Sequence, residues 1–290
     1  RKAYAVKGNN NTLSFVSDSG GIKVTAVGKD GDYAVQTNES IVTFDAGKDA
    51  VAFIGDVEVT GAAADKSILN LKSTTTIDGN GKGSGDDSGN SDGQLMITGT
   101  TMNLTDNLQT LTVAEKTTMN GSTVYFYDDK NQTDKYNGTD YRTITTKDLA
   151  ASGTNELFMR TNANGAYGQS AGNDKIVSEN TAAGSGTYDI TVFDQGMRNG
   201  YNNAAGADTK GHLNGDVKLI ENADAAGTYN IKEMQYDNGV WAYEYEGTAE
   251  TDANGNLNLT SITTKACEQS VAQTAAQDAN KIAAGAAVTL

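Results

Sequence analysis

The stretch VAFIGDVEVTG, Val51 to Gly61, decides how this chain folds, together with its neighbours SILNLKSTTTIDG (Ser67 to Gly79) and QLMITGTTMNLTD (Gln94 to Asp106). In each, apolar residues alternate with polar ones: Val57/Val59, Leu69/Leu71, Leu95/Ile97, Met102/Leu104, and further on Leu111/Val113. Successive side chains of an extended strand point to opposite sides, so this period of two puts the apolar set on one face. The apolar pieces are two or three residues wide and recur from Leu13 to about Asp148 with no helical pattern between them. Brief strands rich in Thr and Asn, separated by irregular polar loops, fit a right-handed parallel β-helix in which each coil adds one layer to a stack. The alternative all-β arrangement, an antiparallel sandwich, usually carries longer strands and stronger hairpin signals. The repeat is too loose to assign a register.

Composition agrees with a layered all-β structure. Only 37% of the 290 residues are apolar and 7% aromatic, with 33 Gly and no Pro. That is thin material for a round core but enough for a stack in which each layer buries a few side chains. The net charge of −15 gives a surface that repels nucleic acid and anionic lipid, so neither is expected as a partner. The single cysteine, Cys267, has no internal disulfide partner and no CxxC neighbour. No apolar run is long enough to span a bilayer. The start, RKAYAVKGNN, lacks the apolar segment of a signal peptide, so an exported protein would be represented here by a processed or excised fragment.

Beyond Gly153 the strands become longer and more aromatic. Asp237-Asn238-Gly239 between IKEMQY and VWAYEYE reads as a hairpin turn. Alternation places Trp241, Tyr243 and Tyr245 on one face, the densest apolar group of the chain, with Ala242, Glu244 and Glu246 on the other. In NELFMRTN it points Leu157 and Met159 inward and turns Phe158 and Arg160 outward, which makes Arg160 a surface cation rather than an anion-binding group. From Lys265 to about Ala284 the residues are good helix formers, and Val271, Ala275, Asp278 and Ile282 fall at helical spacing. The expected division is a β-helix rod over 1–148, a hairpin-rich cap over 149–262 and a helical linker over 263–290.

Four segments carry a resemblance: TTKDLAASGTNELFMRTN, NDKIVSENTAAGSGTYDITVFDQG, DVKLIENADAAGTYNI and NGVWAYEYEG. Their order, from Thr145 to Ile262, resembles the end of a bacterial autotransporter passenger, where a parallel β-helix finishes in a pertactin-type autochaperone module. The match covers roughly 120 residues and departs from the family in the insertion Arg198 to Gly215. The resemblance implies export to the bacterial cell surface or beyond it, through an outer-membrane barrel of the same precursor. No barrel follows Leu290 in this chain, and the Ala-rich tail looks like the beginning of the pore-threading helix. It further implies that a cap core of Leu157, Met159, Ile176, Ile190, Val192, Leu219, Trp241, Tyr243 and Tyr245 nucleates folding, so that Trp241→Ala is expected to slow folding of the whole chain.

Catalytic signals are few. The single histidine, His212, sits in loop-like DTKGHLNG, and there is no GxSxG, HExxH or phosphate-binding GxxxxGK[ST]. Asp128/Asp129 have the basic neighbours Lys130, Lys135 and Arg142, but with no recognisable spacing. In DGNGKGSGDDSGNSDG, Asp78 to Gly93, the carboxylates Asp86, Asp87 and Asp92 resemble a calcium loop. Lys82, however, stands where an oxygen ligand belongs and no bidentate Glu follows. The expectation is therefore a non-catalytic scaffold with no cofactor. It would bind a host surface protein, a glycan or another copy of itself, and its rivals are a filament or layer subunit and a polysaccharide-active enzyme.

Overall fold

The structure is a computed structural model, and it describes residues 3–26, 32–62, 65–79, 93–163, 171–196, 213, 215–224, 227–237 and 239–283. It is all-β apart from two helices, and most of its strand pairing is parallel. The chain begins with β1 (Tyr4–Asn9), β2 (Thr12–Val16) and β3 (Ile22–Thr25), then β4 (Tyr33–Asn38), β5 (Ile41–Asp45) and β6 (Val51–Ile54). β4 pairs with β1, β5 with β2 and β6 with β3, all parallel and in register. Each circuit thus lays one strand beside its counterpart in the circuit before, and three ladders grow along the molecule.

The first ladder continues through β7 (Asp56–Thr60), β9 (Leu95–Thr98) and the end of β10 (Thr101–Asn120). It ends with the second half of β12 (Thr143–Ser152) and β16 (Ala183–Gly184). The second takes the start of β8 (Ile68–Asp78), the start of β10, then β11 (Thr123–Tyr125) and β13 (Thr154–Asn162). β13 forms a short antiparallel pair with β14 (Gly172–Asn173), and the ladder passes on to β17 (Thr187–Asp194) and β19 (Thr228–Ile231). The third runs through the end of β8, the middle of β10 and the start of β12 to β15 (Lys175–Ser178) and β18 (Val217–Glu221).

Register turns the alternation of each strand into columns. Leu13, Val42, Leu69, Met102, Val124, Leu157 and Ile190 lie one above another on the second ladder. Val51, Thr75, Leu111, Ile144, Ile176 and Ile220 do so on the third. From Val42 and Val51 onward these columns are buried, and each fully buried aliphatic stabilises the stack by about 1.5–3 kcal/mol. At the corner between first and second ladders runs a buried polar column, Ser40, Ser67, Thr100, Ser122 and Asn155. Its members satisfy one another and the neighbouring backbone: Ser67 Oγ and Thr100 Oγ1 are 2.9 Å apart, and Ser122 N donates to Asn155 Oδ1 at 3.0 Å. The corner needs a left-handed residue in most circuits, seen at Asn10, Glu39, Gly99, Gly121 and Gly153. At Gly99 a Cβ would lie 2.1 Å from the Gly61 carbonyl oxygen, so the preceding circuit also demands glycine there.

Parallel pairing does not stop at 148: β12 crosses that position and the ladders run on to Ile231. Pairing turns antiparallel with β20 (Met234–Asp237), β21 (Trp241–Thr251) and β22 (Leu257–Gln269), the last of which also pairs with β18. Leu157, Met159, Ile176, Ile190, Val192, Leu219 and Tyr245 are buried and Tyr243 is half-buried. Trp241 is not a core residue: it lies 44% exposed. The expected shared face is interrupted because the register of β21 against β22 shifts between Glu244 and Tyr245. The C-terminal helix, α2 (Val271–Ala283), starts later than its composition suggests. Ala266 to Gln269 pair with β21 and Lys265 lies at the register shift before them, so the stretch remains strand against its helix propensity, and Ser270 Oγ then accepts from Ala272 N to open the helix. Val271 and Ala275, expected on its apolar face, are exposed.

Two outcomes test this part of the fold. Tyr245→Ala should cost about 3–5 kcal/mol in denaturant unfolding, and Trp241→Ala about 1 kcal/mol or less. In the β21–β22 turn, hydrogen bonds from Asn256 N, and also from Asn254 N and two Asn side chains, hold the Asp252 carboxyl down to about 2. A depressed carboxyl stabilises the turn above its ordinary titration range and loses that contribution as pH falls through the folded value. Amide shifts of Asn254 and Asn256 should therefore titrate near pH 2 and stay flat around pH 4.

Candidate functional site: an outer groove beside a buried arginine pair

Arg160 is fully buried, not a surface cation. Its guanidinium takes Asp174 bidentately, with Nε–Oδ2 and Nη2–Oδ1 both at 3.0 Å, and also donates to the Asp134 carboxylate and the carbonyls of Asp134 and Asp140. Arg142, 1% exposed, donates to Asp134 at 3.0 Å and to the carbonyls of Asp106, Leu108 and Phe126. Asp174 accepts two more bonds from the backbone N–H groups of Arg142 and Arg160. Alternation fails at Arg160 because the chain between β11 and β12 folds over the end of β13 and covers it. Gly138 belongs to this closure, since a Cβ there would lie 2.5 Å from Arg160 Nη1.

The buried charges satisfy one another. Burial works against the Arg160 charge, but Asp174 and Asp134 outweigh it and hold the guanidinium above its ordinary value. For Asp174 burial is the larger influence and pushes the carboxyl up, against Arg160 and the two backbone donors. With its donors engaged and no exposed surface, Arg160 cannot reach an outside anion. Its effect is positional: it pins the segment carrying α1 (Gln132–Asn137), capped by Asn131, against the ladders.

That segment overhangs a groove on the outer face of the second ladder. The outward row there reads Thr43, Asn70, Asn103, Tyr125, Phe158 and Thr191 in successive circuits. Its first half is an amide ladder, with Asn103 Nδ2 donating to Asn70 Oδ1 at 2.8 Å and Asn70 Nδ2 to Thr43 Oγ1 at 3.1 Å. Its second half is aromatic, with the rings of Tyr125 and Phe158 stacked 4.3 Å apart. Tyr127 meets Tyr125 edge to face at 6.2 Å and 89°, which makes an aromatic corner. A cavity of about 390 Å³ lies on the amide side of this corner, bordered by Lys72, Asp106, Asp128, Asp129 and Lys130. A smaller one of about 130 Å³ shares Tyr125, Tyr127 and Asp129 and runs on to Phe158, Phe193 and Gln235.

Most charged groups of the groove are engaged with one another or with backbone amides. Lys72 lies between Asp45 and Asp106 at 3.8 and 3.1 Å, and the Asp106 hydrogen bond raises its pKa. Lys135 pairs with Asp129 at 2.5 Å and stands over the Tyr127, Tyr136 and Phe193 rings. Asp128 accepts from the backbone of Lys130 and Asn131. Burial, followed by Asp129 and Glu156, pushes the Tyr125 phenol up, and Tyr127 is raised further by burial and Asp129, so both rings are neutral at physiological pH.

The expected cap-core residues do not gather into one site. Leu157, Met159, Ile190 and Val192 lie on the second ladder and Ile176 on the third, whereas Tyr243 and Tyr245 belong to the antiparallel strands. Asp86, Asp87, Asp92 and His212 lie outside the described residues. Among the described residues no three His, Cys, Asp or Glu side chains are grouped so as to hold a metal ion. The groove was missed in the sequence because its row is spaced by whole circuits; the local sign of it is Tyr-Phe-Tyr-Asp-Asp at 125–129. Comparison of the chain with family models, with curated proteins and with solved structures finds no match.

Asp174→Ala removes the bidentate partner of the buried Arg160 guanidinium and the acceptor of the Arg142 and Arg160 backbone N–H groups, and should destabilise the chain by about 3–5 kcal/mol. In a double-mutant cycle with Arg160→Met, the second change should cost far less on the Asp174→Ala background, as read by denaturant unfolding.

Proposed function

We propose that the three ladders wind as a right-handed parallel β-helix and that the protein is a non-catalytic, surface-exposed or secreted passenger of the autotransporter type. It acts as an adhesin through the outer face of the second ladder, while its C-terminal antiparallel strands close the stack and nucleate its folding during export. Right-handed winding follows the general preference of parallel crossover connections. The passenger reading draws on the order of the segments from Thr145 to Ile262 and on the change to antiparallel pairing after β19.

The observation that carries adhesion is the groove. It offers amides, aromatic rings and carboxylates on a rigid ladder, under an overhang held by the Arg160–Asp174–Asp134 network. Such a surface recognises without rearranging, which lowers the entropic cost of binding. Its carboxylates favour binding over hydrolysis. Asp106 and Asp129 are paired with lysines and Asp128 with backbone amides, so each is engaged in holding the walls of the groove. The antiparallel strands at one end also disfavour the rival reading of a filament grown by end-to-end stacking.

Beads coated with the chain are expected to adhere to host cells, or to one another, in excess over albumin-coated beads. Adhesion to neither overturns the adhesin. Sugar release from a polysaccharide panel would move the protein to the enzymatic class.

A further inference from the structure

We propose that the aromatic corner of Tyr125 and Tyr127 is a binding site for a neutral hexose unit of a glycan, seated on the Tyr125 ring face with its hydroxyls toward Asn103 and Asp106. The inference rests on the adhesive reading and gives its ligand a chemical class.

The stack along the outer row decides which ring surface is available. Phe158 covers one face of Tyr125, while the other looks along the row toward Asn103 and the 390 Å³ cavity. A cavity of that volume is at the small end of ligand pockets, which run from about 300 to 1,000 Å³. An aromatic face is electron-rich, and one face of a pyranose ring presents polarised C–H groups that match it. Tyr127, standing edge-on to Tyr125, forms the side wall and fixes the ring's direction.

Acceptors surround this face. The amide ladder uses Asn103 Nδ2 on Asn70, so Asn103 Oδ1 takes no hydrogen bond among the described residues. Asp106 engages Lys72 and Thr105 through Oδ2, Asp129 engages Lys135 through Oδ1, and Asp128 accepts through Oδ1. The second oxygen of each is left to accept from a hydroxyl. Hydroxyl-rich ligands supply such donors; a sulfate or uronate would instead meet carboxylates. Charge also works against an anionic ligand, because Asp45, Asp106, Asp128, Asp129 and Glu156 outnumber Lys72, Lys130 and Lys135.

Saturation-transfer NMR on the intact chain tests the site with neutral gluco-, galacto- and manno-oligosaccharides beside uronate oligosaccharides, sulfated oligosaccharides and a tyrosine-rich peptide. At least one neutral series should bind, with transfer concentrated on the C–H protons of one ring face. Tyr125→Ala, with an unchanged far-UV spectrum, should weaken that binding about tenfold or more, and Tyr125→Phe should retain it. Should Tyr125→Ala fail to fold, Asn103→Leu removes the acceptor while leaving the aromatic stack, and should also weaken binding about tenfold. Thr191→Ala, beyond Phe158, should have no effect. The site is overturned if no neutral oligosaccharide binds, if Tyr125→Ala and Asn103→Leu bind normally, or if the anionic oligosaccharides or the peptide bind in preference. Beads carrying Tyr125→Ala that still adhere like the parent would also remove this site while leaving the adhesin reading intact.

Discussion

Everything in this molecule depends on in-register parallel stacking. A residue of one circuit lies directly over its counterpart in the circuit before, so for most of the stack like lies on like: aliphatic on aliphatic, hydroxyl on hydroxyl, amide on amide. The columns of Leu and Val, the buried Ser/Thr/Asn column and the outer amide ladder all follow from that rule. It explains how a chain with 37% apolar residues builds a continuous core. Each circuit contributes only a few buried side chains, and the backbone bonds between circuits satisfy the polar groups that those side chains bury.

Where the rule breaks, something else must hold the chain. Between β11 and β12 the connection leaves the ladder, and the buried Arg142 and Arg160 recover it with Asp134 and Asp174. Two guanidinium groups and the Asp174 carboxyl away from water are tolerated because their hydrogen bonds are shared among themselves, with the partly exposed Asp134 and with backbone carbonyls. The same network props up the wall of the outer groove, so a structural solution to one irregular connection also shapes the surface available to a partner. Tyr136, Phe193 and Tyr236 extend that support by packing α1 against β17 and β20, which links the groove to the antiparallel end.

Much of the strand content was legible. Val57/Val59, Leu69/Leu71, Leu95/Ile97, Met102/Leu104 and Leu111/Val113 all point inward, as their alternation requires. The repeat itself was hidden by loops of unequal length: partners in adjacent circuits are separated by 22, 27, 29, 33 or 41 residues. A partial mark of it was present in the short corners Asn120-Gly121-Ser122, Thr98-Gly99-Thr100 and Ser152-Gly153-Thr154. Trp241 and Arg160 went the other way, because a register shift in β21 and an overhanging segment change which side of a strand is covered.

The sequence by itself determined the local matters: extended structure from period two and a helical stretch near the C-terminal end, though not where that helix starts. These are set by neighbours within a few residues, where steric and hydrogen-bonding preferences act directly. Only the tertiary structure decided that Arg160 lies inside, that Trp241 lies outside, and that Asn103 and Tyr125 share one groove. Burial depends on what another circuit lays over a side chain, and that partner is tens of residues away along the chain.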